Sequence, residues 1–155
     1  MSETDQSLGK LADFLPYQLS ITSNAVSSVI ASRYRARFGL KVPEWRVMAV
    51  LGDAGAATQR RLTEATLMDK VAVNRACKVL EERGLVSRQP NARDGRSHLL
   101  DLTDEGRGVY AEVMPLARES ESEIFAGLDD EQQAQLRDLL EQVFDHAKSI
   151  RPATP

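Results

Sequence analysis

Apolar residues recur at helical spacing from the start of the chain. Leu8, Leu11, Leu15, Leu19, Val26, Val29, Ile30, Tyr34 and Phe38 follow the three-then-four rhythm of one helix face. They predict a long first helix. Pro16 interrupts it and calls for a kink or a fresh start, and Gly39 closes it as a left-handed terminator. A second helix is expected near Pro43, a residue suited to a first helical position. It carries Trp45, Val47, Met48 and Leu51 and stops between Gly52 and Gly55. Thr58 and Asp69 are N-cap types. They predict a short helix from Gln59 to about Thr66 and another from Lys70 to Arg83. The second of these has Val73, Ala76, Cys77 and Leu80 on one face, and Gly84 ends it.

The period then changes. Leu85 to Arg88 and Ser97 to Leu102 suggest two short strands, and the polar, turn-forming stretch from Gln89 to Arg96 between them suggests a long basic loop. Thr103 can cap a fifth helix running through Tyr110, Val113, Ala117 and Ile124 to Gly127. Gly106 takes the place of the Glu that would complete its capping box, and Pro115 suggests a bend. Asp129 and Gln132 form a capping box for a sixth helix striped by Leu136, Leu139, Leu140, Val143, Phe144 and Ala147. The end, Arg151 to Pro155, should fray.

Helix, helix, short helix, capped helix and hairpin in that order make a winged helix-turn-helix. One helix of that fold fits the major groove of B-DNA, and a thin charged ribbon reaches the minor groove. The fold class expected is mainly α with a small β-hairpin wing. Residues 42–102 form the winged lobe; residues 8–39 and 104–148 form a helical dimerisation lobe.

Charge supports this reading only through its distribution. The 155 residues carry a net −3. Between Thr58 and His98 there are nine basic and five acidic residues, a local +4 against −7 for the rest. An acidic body with a basic middle can offer phosphates a positive face. Apolar residues make up 42% and charged residues 28%, as in a soluble globular protein. The longest apolar run, Val47 to Leu51, is far too short for a membrane span. The acidic start, Met1 to Asp5, lacks a signal-peptide pattern. A single cysteine, Cys77, excludes an internal disulfide framework and fits a reducing cytoplasm. One Cys and two distant His argue against a Cys/His metal centre, and no cofactor motif is present. Nucleophile-elbow, P-loop and dinucleotide-glycine signatures are missing, so an enzyme is disfavoured.

Four blocks, in order, carry a resemblance: Met68 to Arg75; Leu80-Glu81-Glu82-Arg83-Gly84-Leu85-Val86; Asp94-Gly95-Arg96; and Leu102-Thr103-Asp104-Glu105-Gly106. Together with Pro43 to Met48, they resemble the multiple-antibiotic-resistance regulator (MarR) family over nearly the whole chain, as a single domain 1–155. The sequence departs from the common pattern at Gly95, where a second wing arginine is frequent, and at Val71-Ala72, where Ser/Thr pairs are frequent. Both changes bear on which operator is bound. The resemblance implies a cytoplasmic, homodimeric transcriptional regulator, a repressor of double-stranded DNA at a pseudopalindrome. In it the first helix and last two helices of both subunits interleave, burying Leu11, Leu15, Leu19, Leu136, Leu140, Val143 and Phe144.

The expected DNA-facing residues are Lys70, Val71, Ala72, Asn74, Arg75 and Lys78 on the fourth helix. Arg suits guanine, Asn suits adenine, and small apolar groups suit a thymine methyl. In the wing, Arg96 would enter the minor groove with its guanidinium held by Asp94. Arg60, Arg61, Arg88 and Arg93 are phosphate-contact candidates. The ordinary alternative is a solvated basic face. Relatives of this family often bind small anionic aromatics in the crevice between the lobes. Ser23, Asn24 and Ser27, within a run of small polar residues from Ser20 to Ser28, could line such a pocket with Trp45. Arg46 would pair with the carboxylate of an aromatic acid or of its coenzyme A thioester. The alternatives are simple packing for Trp45 and solvent-facing serines, or a regulator with no small-molecule effector. Such a regulator could be redox-responsive through Cys77 or serve as a protein-interaction module. Cys77 lies on the packed face of its helix, which favours a structural role. His98 and His146 are expected to be incidental surface residues.

Overall fold

The computed structural model of the chain describes residues 9–150. The expectations for Leu8, the acidic start and the 151–155 tail lie outside them. A single 3-10 turn, Leu11–Asp13, precedes α1 (Leu15–Phe38), which begins afresh with Pro16 in its first turn. Gly39 ends α1 in the left-handed region, φ 63°, its N–H donating to the Arg35 carbonyl. Helix α2 (Val42–Ala54) starts where the Lys41 N–H donates to the Glu44 carboxylate at 2.8 Å. β1 (Ala57–Thr58) leads into α3 (Gln59–Thr66), then α4 (Lys70–Glu82), β2 (Val86–Asn91), β3 (Asp94–Leu102), α5 (Asp104–Ile124) and α6 (Asp130–Ile150).

The caps read from the sequence are formed. Thr58 Oγ1 accepts from the Arg61 N–H, Asp69 Oδ1 from the Ala72 N–H and Thr103 Oγ1 from the Gly106 N–H. Asp129 and Gln132 cap reciprocally at 2.8 and 3.0 Å. Each satisfies an N–H that the first helical turn cannot. Leu67 ends α3 with φ 52°, the one non-glycine in the left-handed region among the described residues.

Two features of the sheet differ from the sequence reading. A third strand exists: β1 pairs with β3, Ala57 opposite Leu100, giving the order β1-β3-β2. The hairpin is also longer and its tip shorter than expected. Val86 to Asn91 and Asp94 to Leu102 are strand, leaving only Ala92 and Arg93 in the turn. Pro90 is tolerated because β2 is an edge strand, where a missing N–H need not break the ladder. The polar residues that suggest a loop make a tight turn. Asn91 Oδ1 accepts from the Arg93 N–H at 3.1 Å, and Asn91 Nδ2 donates to Ser97 Oγ.

The chain divides into two compact units, one ending at Arg118 and the other beginning at Glu119. In the first, Val73, Ala76, Cys77 and Leu80 of α4 join Met48 and Leu51 of α2, Leu62 of α3 and Leu100 of β3 in one core. Ala31 and Tyr34 of α1 and Val113 of α5 belong to the same core. The second unit contains the end of α5 and α6. Gln133 Nε2 ties the start of α6 to the carbonyls of Phe125 and Leu128.

Candidate nucleic-acid interface

Helix α4 divides cleanly. Its inner face is buried, while Lys70, Val71, Asn74, Arg75 and Lys78 are exposed and Ala72 is half-buried. Val71 is 65% exposed, in reach of a groove that this face could enter. Packing of α3 against α4 and their two caps fix this orientation. At the wing, Arg93 sits in the turn and Arg96 just beyond it, both exposed. Asp94 does not hold the Arg96 guanidinium as expected. Its Oδ1 accepts from the Arg96 backbone N–H at 3.0 Å, bracing the turn and leaving the arginine side chain to project.

The basic residues of the middle segment are not equivalent. Arg61, Lys70, Arg75, Lys78, Arg93 and Arg96 form no ion pair within the described residues. Arg60 reaches Glu64 at 3.4 Å, but the two side chains are 90% and 56% exposed, so phosphate can displace that contact cheaply. Arg88 is different. Its Nε and Nη2 donate to both Glu81 oxygens at 3.0 and 3.1 Å, with side chains 34% and 28% exposed. The Glu81 hydrogen bonds push the Arg88 pKa up. A forked, charge-assisted pair of this kind is a poor phosphate ligand, because Glu81 would have to be abandoned. Arg83, counted in the basic segment without a role, turns away from α4 altogether. Its guanidinium donates to the carbonyls of Phe38 (2.7 Å) and Gly39 (3.3 Å), closing the C-terminal end of α1. A neighbour so distant along the chain leaves no mark in local spacing.

The residues expected around an effector fall in different settings. Trp45 is buried, 9% exposed, with Tyr34 of α1 and Tyr110 of α5 at ring-centroid distances of 5.7 and 5.9 Å. Gly52 makes this possible: a Cβ there would lie 2.5 Å from the Tyr110 ring. Arg46 is exposed and near enough to Tyr34 to oppose the upward shift that burial gives the phenol pKa. Ser27 is half-buried, and Ser23 and Asn24 are exposed. Ser27 lies seven residues before Tyr34, about two helical turns from the ring that meets Trp45. Cys77 is fully buried, and burial pushes its thiol up to about 11, so it is protonated and unreactive at neutral pH.

The MarR family model matches residues 38–97, from the end of α1 through the wing. The MarR family regulator SPO1453 from Silicibacter pomeroyi is 32% identical, with a TM-score of 0.78 over 90% of this chain and 98% of that one. The transcriptional repressor IacR from Pseudomonas putida is 25% identical over 76% of this chain and 71% of its own. BpsR from Bordetella bronchiseptica, whose DNA binding is regulated by 6-hydroxynicotinic acid, shares the fold. Its TM-score is 0.80 at 22% identity, covering 88% of this chain and 97% of that one. A buried-inside, basic-outside α4, a braced wing and this match over nearly the full length lead to one assignment: the chain belongs to the MarR family of winged-helix DNA-binding transcriptional regulators.

Proposed function

We propose that the chain is a homodimeric repressor of a pseudopalindromic operator. In this reading α4 enters the major groove and the Arg93–Arg96 turn the minor groove, and a small aromatic carboxylate or its thioester releases the DNA. The observation that carries it is the outward face of α4. Val71, Asn74, Arg75 and Lys78 stand exposed on a helix whose other face is sealed in the core, beside a wing tip with two arginines that form no ion pair among the described residues. IacR, a repressor by name, supports the direction of regulation. Lys70, Ala72, Arg60 and Arg61 complete the surface as phosphate and groove contacts; Arg88 is reassigned to an internal role.

Arg75→Ala should weaken operator binding by about 1–3 kcal/mol per half-site and relax base preference. Wild-type binding should fall steeply with salt as counterions leave the DNA. Gel shifts on operator and scrambled DNA at two salt concentrations check both, and wild-type affinity and selectivity in Arg75→Ala would remove Arg75 from base readout.

The effector half of the proposal rests on Arg46, exposed beside the buried Tyr34–Trp45–Tyr110 cluster, with Ser23, Asn24 and Ser27 along α1 as the polar wall. BpsR supplies a relative of the same fold that responds to an aromatic acid. A ligand releases DNA only by binding one dimer conformation better than another. Couplings of about 1–3 kcal/mol change affinity roughly 5- to 150-fold. Titrating hydroxybenzoates, hydroxycinnamates and their coenzyme A thioesters should quench or shift Trp45 fluorescence while operator binding weakens. Release that is undiminished in both Arg46→Ala and Ser27→Ala would move the effector elsewhere.

A further inference from the structure

Four side chains outside the core form an ordered relay. Glu81 at the end of α4 accepts two hydrogen bonds from Arg88 of β2. Arg88 Nη2 also donates to Gln59 Oε1 at 3.4 Å. Gln59, the first residue of α3, then donates from Nε2 to Asn74 Oδ1 at 3.2 Å. The direction of the relay is fixed by chemistry. A guanidinium can only donate and a carboxylate can only accept, so Gln59 must present its oxygen to Arg88 and its NH2 to Asn74. Asn74 must then present its oxygen to Gln59.

We propose that Gln59 is a specificity-determining residue. Held by the Glu81–Arg88 pair, it turns the Asn74 amide so that the NH2 group, rather than the carbonyl, leads into the groove and selects a base edge that accepts. Acceptor-only edges in the major groove belong to guanine (N7, O6) and, apart from its methyl, thymine (O4). Cytosine offers only its N4 donor. The relay thus favours G over C at the position Asn74 faces. It also gives Arg88 a positioning role in place of a phosphate contact. The inference rests on the proposed entry of α4 into the major groove.

The test is selection from a DNA library randomised over each operator half-site, using the full-length chain. Asn74→Ala should flatten preference at one position per half-site. Gln59→Glu is the informative variant. A carboxylate there still accepts from Arg88 but can only accept from Asn74, so the Asn74 amide must reverse. The G-to-C ratio at the Asn74-dependent position should fall about fivefold or more, with other positions unchanged. Gln59→Ala should broaden that position without reversing it. Arg88→Ala should broaden it too while leaving the slope of log affinity against log salt unchanged; a lost phosphate contact would reduce that slope by about 1. Circular dichroism melts establish that each variant is folded, and Gln59→Ala carries the test if Gln59→Glu is not.

An unchanged G-to-C ratio in the folded Gln59 variants, at a position that Asn74→Ala alters, overturns the inference and leaves α4 in the groove. So does an Asn74→Ala protein with unaltered preference while Arg75→Ala loses affinity. If neither Asn74→Ala nor Arg75→Ala has an effect, the groove reading falls and the relay's role falls with it.

Discussion

Leu140→Asp is expected to break the proposed dimer into a monomer or an unfolded chain and to lower operator affinity by about 100-fold or more. Helix α6 carries Leu139, Leu140, Val143 and Phe144 with none of them buried; Leu140 is 47% exposed. The first half of α1 is similar, with Leu15, Leu19 and Ile21 exposed. Two helices with this much apolar surface in water imply a covering partner, and a second copy is the partner that the proposed two-fold operator recognition requires. An aspartate there would bury an unpaired carboxylate, at a cost of several kcal/mol. Losing the dimer also loses the second half-site. Linked binding of two half-sites strengthens the complex by about 10² to 10⁴ over one. Light scattering at micromolar concentration and a gel shift on a two-half-site operator measure the two effects. Glu141→Ala, an exposed neighbour, should change stability by less than about 0.5 kcal/mol. A wild-type protein that is monomeric, or a Leu140→Asp protein that remains a dimer, ends this account of α6.

What the sequence disclosed and what it hid divide along one physical line. Thr58, Asp69, Thr103 and Asp129 each act on an N–H three residues away, so their caps and the helices they start are legible from spacing. The buried face of α4 is legible for the same reason, since helical period alone brings Val73, Ala76, Cys77 and Leu80 together. The wing was only half legible. Asn91 and Asp94 are turn formers by composition, yet they spend their side chains bracing a two-residue turn, and the strands run on through residues that look like loop.

The charged residues were the least legible. Positive charge placed Arg83, Arg88 and Arg75 in one basic segment. Partners 45 residues away for Arg83 and 7 for Arg88, which sits on the adjoining strand, occupy the guanidinium groups of two of them within the protein. The relay through Gln59 was invisible for the same reason, because it joins α3, α4 and β2 through contacts only the fold creates. The exposed remainder, Arg60, Arg61, Lys70, Arg75, Lys78, Arg93 and Arg96, is a smaller set than the charge count suggested.

The second large effect is expected from one methyl group. Gly106 stands where a capping box would have Glu, and the structure supplies the reason. A Cβ at Gly106 would lie 2.0 Å from the Leu85 carbonyl oxygen and 3.0 Å from its carbon, with Leu102 Cδ2 at 3.3 Å. Gly106 has no unusual φ, so space rather than backbone freedom demands the glycine. The obstacle is backbone, which cannot swing aside like a side chain tip. The same corner is held by the Thr103 N–H donating to the Leu85 carbonyl and by Thr103 Oγ1 donating to the Gly84 carbonyl at 2.6 Å. Pushing α5 away from Leu85 strains these bonds and lifts the buried Leu85 and Leu102 from the core. Gly106→Ala should therefore cost about 3 kcal/mol, the upper end of what overpacking does. Gly84 is the internal comparison. It has φ 73° but no clash, since a Cβ there would meet only Glu105 Oε2, in ordinary contact at 3.7 Å. Gly84→Ala should cost about 1–2 kcal/mol from left-handed strain alone. Urea unfolding of the two variants at one protein concentration measures the order. Gly106→Ala should lose more, and it should lose operator affinity as well, since α5 would seat the winged lobe differently. A Gly106→Ala protein as stable as Gly84→Ala would mean that this corner yields at little cost, and that close packing of α5 on Leu85 is not what holds the wing's base in register.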